Sequence, residues 1–580
     1  MTPYQRAYND ALAHHRAGRL AEADRLYAEA LKLKPDLVEA MNNRGAIRQM
    51  AGDWAGALAC YDATLRARPD YAEALANRGN VLIQLRRYDQ ALASFERALA
   101  IAPGRASALN GRAGVLFKLK RFEEALTAYA ALRAADPGNP YALGGMLIAA
   151  MNLCDWQTVE RIGAEVRARV ADGTAVISPF LFLGFSDDKA LQLKCAQNAI
   201  AELGLGSVPP LWRGEAYAHD RIRLAYISSD FCQHPVPLLL ARLIELHDRS
   251  RFEVHGFSTG LNDASPIRAR IEKAFEHFHD VQGQPAARIA QLLRDREVDI
   301  LVDLTGHTEG DHFEILNMRP CPVQVNWLGY PGTSGSYALD YILADPVVAP
   351  FDDQVFFSEK IVQLPHCYFP TSYSEPLPTP SRAEAGLPQT GFVFMSFNNS
   401  WKITRPMFDV WMRLLAAVPG SVLWLLDSSS GFRERLRQEA QARGIAPDRL
   451  VFAPRVSPEQ NLARQPLADL VLDTSPYNGH MTTSDALWAG VPLATLAGQA
   501  FAGRVAANQL AAIGLGELVT HDLAAYEALA LKLARDPALL KATRDRLARN
   551  RDTAPLFDVP SLVQNVEKAF VTMHEAPRGA

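Results

Sequence analysis

Marks that recur every 34 residues constrain the start of this chain more than any other feature. Pro35, Pro69, Pro103 and Pro137 stand 34 residues apart, and Ala23, Ala57, Ala91 and Ala125 keep the same step. So do the aromatic residues Tyr27, Tyr61, Phe95 and Tyr129, and the small residues Ala11, Gly45, Gly79 and Ala113. Self-similarity at this period signals stacked supersecondary units, each burying its apolar face only against its neighbours. A small residue lets two elements cross closely, alanine admits the next one, the aromatic fills the gap, and proline stops the unit.

The pattern resembles the tetratricopeptide repeat, a helix-turn-helix unit, and implies an α-helical superhelix over residues 1–155. A degenerate fifth unit is expected around Tyr141 to Asp155. The Ala, Gly and Pro marks are packing positions, which leaves recognition to the concave face. Asn43, Asn77 and Asn110 fall on the first helices, the first two in one register. They either form a ladder that grips the backbone of an extended peptide, or face solvent, or cap.

A chain of 580 residues exceeds what one hydrophobic core supports, so further domains follow the repeats. With 21% charged and 48% hydrophobic residues it has the composition of soluble globular domains. A net charge of −4 without a long basic block argues against a nucleic-acid partner. The six cysteines form no CxxC pair and no Cys/His cluster at ligand spacing, so they read as reduced thiols and no metal site is expected. Neither a signal-type apolar run nor a stretch of about 18 apolar residues occurs. The expectation is a cytoplasmic protein without a membrane partner.

Residues 156–218 read as a helical and irregular junction, irregular from about 176. Beyond it, short apolar runs alternate with helical stretches: RIRLAYISSD (221–230), FEVHGFST (252–259), VDILVDLTG (298–306), VQVNWLGY (323–330) and LDYILAD (339–345). A Pro/Ser/Thr-rich linker (370–390) precedes a second series, GFVFMSFNN (391–399), SVLWLLD (421–427), RLVFAP (449–454), DLVLDT (469–474) and VPLATL (491–496). Such alternation indicates parallel sheets covered on both faces. The expected architecture is two Rossmann-like α/β lobes, residues 219–375 and 388–575, with ligands at the carboxyl ends of their strands.

The unusual polar residues fall at those strand ends. Asp230 and His234 follow one strand; Asp303, Thr305 and His307 follow another; NWLGYPGTSG (326–335) adds a glycine-rich turn. In the second series Lys402 lies just past a strand. DTSPYNGHMTTSDALWAGVPLAT (473–495) packs a strand end, a Gly-His turn and a run of hydroxyls opening a helix, the build of an anion site. Neither GxGxxG nor the phosphate-loop lysine motif is present, against a dinucleotide oxidoreductase or an NTPase. No Asp-x-Asp pair occurs either. A lysine with a helix N-terminus can stabilise a departing diphosphate without a metal.

Repeats joined to two α/β lobes that carry SSDF, HP, WLGYPGTSG, FNN, Lys402 and NGH followed by LWAG resemble the O-linked N-acetylglucosaminyltransferases, glycosyltransferase family 41, of two-lobed glycosyltransferase B fold. The resemblance runs from the repeats to about residue 570 and looks like a bacterial, short-array member. It implies inverting, metal-independent transfer of N-acetylglucosamine from UDP-GlcNAc to Ser or Thr hydroxyls of proteins, with no cofactor. Lys402 would hold the diphosphate, with Asn399, Arg464, His480, Thr482 and Thr483 lining the donor and Asp485 binding the ribose. His234 matches the proposed general base or acceptor-site residue, with Asp303 and the donor phosphate as competitors. The implied partners are a nucleotide sugar and protein or peptide acceptors in the repeat groove, and a homodimer is left open.

The chain departs from the animal pattern in VSPEQNLAR (456–464), where Asn461 replaces a uracil-packing histidine and Pro458 a base-contacting lysine. Met481 stands where those enzymes have threonine. Relatives of this architecture also use GDP-fucose or transfer glucose. The alternatives are therefore a GDP-fucose or UDP-glucose transferase, or a scaffold whose lobes only bind.

Overall fold

The computed structural model describes residues 1–373 and 377–576. The chain divides into two compact units, Met1–Ala150 and Met151–Ala580.

The first unit is built of helical hairpins: Pro3–Arg16 with Leu20–Leu33, Val38–Met50 with Trp54–Ala67, Ala72–Gln84 with Tyr88–Ile101, and Ala106–Lys118 with Phe122–Ala135. A further helix, Ala142–Asn152, follows them in the chain. The repeated aromatic explains the repeated small residues. Phe95 is fully buried. A Cβ on Gly79, in its own hairpin, would lie 2.6 Å from that ring, and one on Gly111, in the next hairpin, 2.3 Å. Gly145, 34 residues after Gly111, stands in the same relation to Tyr129 at 2.3 Å. In the first two hairpin junctions the corresponding position is Asn43 or Asn77. Asn43 donates to the Tyr27 hydroxyl at 3.1 Å, and Asn77 to the Asn42 side-chain carbonyl at 3.4 Å. These two asparagines thus each make a hydrogen bond within the array.

The second unit carries two parallel sheets. The first has seven strands, β1 Ile222–Ser228, β2 Phe252–Ser258, β3 His277–Asp280, β4 Ile300–Asp303, β5 Val323–Asn326, β6 Tyr341–Ala344 and β7 Lys360–Gln363, in the order β3-β2-β1-β4-β5-β6-β7. The second has six, β8 Val393–Ser396, β9 Val422–Leu426, β10 Leu450–Ala453, β11 Leu470–Leu472, β12 Leu493–Leu496 and β13 Val519–Thr520, in the order β10-β9-β8-β11-β12-β13. The interior strands are sealed on both faces, as apolar runs without alternation require.

Three strands escape the sequence reading. HFHD (β3), KIVQ (β7) and VT (β13) are short edge strands whose polar residues hide the pattern. The stretch expected to be irregular holds the 14-residue helix Lys189–Glu202. Two helices also cross the boundaries drawn from sequence. Trp156, at the start of Trp156–Ala171, donates from Nε1 to the Ile403 carbonyl at 3.0 Å, docking that helix on the second lobe. The last helix, Val559–Glu575, returns to the first lobe, where Glu567 meets His247 Nδ1 at 2.9 Å.

Each sheet changes winding direction once, between β1 and β4 and between β8 and β11. In open α/β sheets ligands bind at such switch points, outside the carboxyl ends of the strands. The loops after β1, β4, β8 and β11, which carry His234, Asp303, Lys402 and residues 473–480, lie there, whereas the glycine-rich turn follows β5 and Arg464 follows β10.

Candidate active site

In the second lobe the site is organised around Asp473, the residue after β11. It is fully buried. One carboxylate oxygen accepts from the Gly479 amide at 2.6 Å and the Thr474 amide at 2.8 Å, the other from the Thr495 hydroxyl at 2.6 Å. These bonds curl residues 474–479 into a turn that delivers the chain to helix Met481–Trp488. Gly479 is needed there because a Cβ would lie 2.6 Å from the hydroxyl oxygens of both Thr482 and Thr483.

Lys402 reaches this turn from the β8 loop. Only 7% exposed, it donates from Nζ to the Asn478 carbonyl at 2.8 Å and lies 3.7 Å from the centroid of the Tyr477 ring. Burial pulls its pKa below the ordinary lysine value, with Asp473 opposing, and it pushes the Asp473 carboxyl up. His480, at the head of the helix, meets the Ala502 carbonyl through Nε2 at 3.2 Å, which makes that nitrogen the protonated one. Burial and the neighbouring Lys402 hold the ring neutral. Thr482 donates to the Asn398 side-chain oxygen at 3.0 Å.

Asp485 lies one turn into the helix and accepts from the Tyr373 hydroxyl at 2.9 Å. Burial pushes its carboxyl up to about 7, with the Tyr373 hydrogen bond opposing. Tyr373 stacks on Trp488, ring centroids 4.9 Å apart. It comes from the linker, where no periodicity marks it, and the sequence reading missed it. Asp473 was missed too: it lies inside the DTSPYNGH string, but nothing in a string says that one carboxylate holds the whole turn.

Other expected donor residues are placed differently. Thr483 is fully buried and its hydroxyl donates to the Gly479 carbonyl at 2.9 Å, so it shapes the turn. Arg464 is buried, bonded to Asn461 Oδ1 at 2.8 Å and the Pro454 carbonyl at 2.8 Å, over the Phe397 ring at 4.6 Å. Its guanidinium is committed to the protein. Asn399 is exposed and accepts from Arg455 at 2.9 Å; its neighbour Asn398 is the one that faces the helix.

In the first lobe His234 heads helix Pro235–Leu246, and its Nδ1 accepts from the Val236 amide at 3.4 Å. Its side chain is 41% exposed, with Asp230 3.7 Å away. Burial lowers its pKa, against the pull of Asp230, whose own pKa burial raises. Asp303 does not face an open site. It is fully buried and accepts from His312 Nδ1 at 2.8 Å and the Gly306 amide at 2.9 Å, which corrects its reading as a candidate base. His312 in turn meets the Thr259 hydroxyl at 2.8 Å, a link the sequence reading did not see. His307 donates to the Ser334 carbonyl at 2.6 Å and so ties the β4 loop to the glycine-rich turn. That turn is anchored on the buried Glu359, which accepts from the Ser334 amide at 2.8 Å and Thr333 at 2.7 Å.

A half-exposed histidine at one switch point, and a buried lysine, a glycine turn and a helix N-terminus at the other, provide a proton acceptor and an oxyanion site. The family model described as Glycosyl transferase family 41 matches residues 208–380 and 371–566, both lobes. The chain belongs to glycosyltransferase family 41. The Tetratricopeptide repeat model matches residues 8–72, 49–106 and 77–140. Among curated relatives of this family-41 chain is the probable UDP-N-acetylglucosamine--peptide N-acetylglucosaminyltransferase SEC of Arabidopsis thaliana, 33% identical over 444 residues, 73% of this chain and 45% of that protein. The corresponding transferase of Caenorhabditis elegans is 28% identical, covering 60% of this chain and 40% of that one. The chain thus spans less than half the length of these relatives. A mutant of the Thermobaculum terrenum O-GlcNAc transferase superposes with a TM-score of 0.68 at 26% identity, over 93% of this chain and 97% of that one.

Proposed function

We propose that this family-41 chain is an inverting protein O-linked N-acetylglucosaminyltransferase that uses UDP-GlcNAc without a metal. The observation that carries the reading is Lys402, a buried cation beside the Gly479 turn and the N-terminus of helix Met481–Trp488. A diphosphate placed there meets an ammonium, the positive end of a helix and backbone amides at once. The acceptor hydroxyl attacks the anomeric carbon on the face opposite the leaving group; the new C–O bond forms as the sugar-phosphate bond breaks, and UDP leaves with the electron pair. Charge builds on the departing phosphate, where Lys402 acts. The hydroxyl proton passes to a base on the first-lobe side, a role for His234 once the acceptor displaces its contact with the Val236 amide. Asp303 and His312 are positioning groups that hold the loop beside it. Asp485, with Tyr373, receives the ribose. The Arabidopsis and Caenorhabditis relatives, named as UDP-N-acetylglucosamine--peptide N-acetylglucosaminyltransferases, support this donor, and the Thermobaculum O-GlcNAc transferase supports the transferred sugar.

A second reading keeps the chemistry and changes the base. Asn461 is bound to Arg464 and so presents a different surface from the histidine of the animal pattern. Calorimetric titration of the metal-free protein with UDP and GDP in parallel separates the two. Tight UDP binding supports the N-acetylglucosaminyl donor, preference for GDP moves the assignment to a guanosine-linked sugar, and binding of neither supports a scaffold.

A further inference from the structure

We propose that Glu253, His255 and His277 form a zinc site on the edge of the first sheet, at the end away from the cleft loops. β2 and β3 run parallel with His255 opposite His277, and Glu253 shares the His255 face because side chains two apart on a strand point the same way. The three ligand-bearing groups converge so that their donor atoms all lie within 4.8 Å of one another. Glu253 Oε1 is 3.1 Å from His255 Nε2 and 3.3 Å from His277 Nε2. Four-coordinate zinc with bonds of about 2.0–2.1 Å separates its ligand atoms by about 3.3 Å, so these two spacings match the edges of a zinc tetrahedron, with the remaining edge within 4.8 Å. Two imidazoles and a carboxylate are a donor set zinc commonly takes.

The surroundings support the assignment. The other nitrogen of His255 faces His279 Nε2 at 3.4 Å, with the two rings stacked at an interplanar angle of 7°. A ligating histidine is normally oriented by a hydrogen bond at its second nitrogen. Glu253 Oε2 sits 3.5 Å from both Arg221 and Arg223, which leaves Oε1 for the ion. The His255 side chain is 3% exposed and that of His277 47%, so the site is buried on one side and open on the other to a fourth ligand such as water. The alternative is a carboxylate that accepts hydrogen bonds from both imidazoles. A cross-link here would fasten β3, a four-residue edge strand with little apolar surface, to its neighbour. The reading is independent of the transferase assignment, because the cleft loops leave the opposite ends of the strands.

The test is titration of the full-length, chelator-stripped, tag-free protein with zinc chloride by calorimetry, and with cobalt chloride by visible absorption. One zinc per chain and the visible band of four-coordinate cobalt without a thiolate charge-transfer band are expected. His277→Ala and Glu253→Gln should each weaken zinc at least tenfold while circular dichroism stays that of the parent; the His277 side chain is 47% exposed and glutamine keeps the size of the Glu253 side chain. No zinc binding by the parent, parental affinity in both variants, or a cobalt-thiolate band would overturn the proposal.

Discussion

Lys402 holds its ammonium 3.7 Å from the centre of the Tyr477 ring and donates to the Asn478 carbonyl at 2.8 Å. The partners of this buried cation are a π face and a carbonyl, while the nearby Asp473 carboxylate is spent on the turn. A charge held this way gains most when an anion arrives. Both the fold and the chemistry converge on that arrangement.

Diphosphate binding should take up a proton. Burial leaves the free Lys402 titrating below the ordinary lysine range, and a bound diphosphate favours its charged form, raising the pKa. Between those two values the complex binds more protons than the free protein, so UDP affinity falls as pH rises through that interval. Calorimetry at pH 8 in two buffers of different ionisation enthalpy should report proton uptake, and Lys402→Met should abolish it.

Asp485→Asn should stabilise the fold while weakening the nucleotide. The folded-state carboxyl sits near 7, above its unfolded value. The folded chain therefore holds the extra proton between about pH 4 and 7, and the ionised group is a liability above that window. At pH 8 the variant should gain about 1–3 kcal/mol in denaturant unfolding and lose roughly tenfold in UDP affinity. At pH 4 the stability difference should largely vanish.

His234→Ala and Asp303→Asn should differ in kind. His234 is half-exposed and replaceable, so the alanine variant should unfold within about 1 kcal/mol of the parent and bind UDP normally. Its transfer rate should fall by a factor of roughly 100 or more. Asp303→Asn disturbs the buried His312 bond and should cost about 1–3 kcal/mol of stability, with transfer reduced in proportion to the disorder of the β4 loop. Steady-state rates beside thermal melts distinguish the two.

Gly111→Ala should destabilise the repeat array. Its new methyl would fall 2.3 Å from the Phe95 ring, which is wedged between two hairpins. About 1–3 kcal/mol is expected, read as a lower melting temperature of the helical signal. Gly104→Ala, with nothing within 4 Å, is the matched control.

The repeats were legible because every 34-residue unit meets the same packing problem, and Phe95 between Gly79 and Gly111 shows why the marks must coincide. The apolar inner strands were legible for a similar reason. Edge strand β3 was not, since HFHD draws its order from pairing with β2. At the site, Lys402, His480 and Asp485 stood in recognisable strings. Thr483 stood in the same string as His480 and Asp485, and Arg464 in the separate stretch 456–464, yet their side chains turn inward, which depends on a fraction of a helical turn. Tyr373 and the Asp303–His312 bond come from segments joined only by folding.

The most direct test of the central claim is intact-mass analysis of a Ser/Thr-containing acceptor protein incubated with UDP-GlcNAc, chelator and either the parent or Lys402→Met. Removing a buried charge should leave the melting temperature unchanged or higher and cut transfer by a factor of about 100–1,000. One N-acetylhexosamine addition per modified site with the parent, and almost none with a folded Lys402→Met, is the predicted result. Equal modification by both proteins, or none by the parent with any sugar nucleotide, would contradict it.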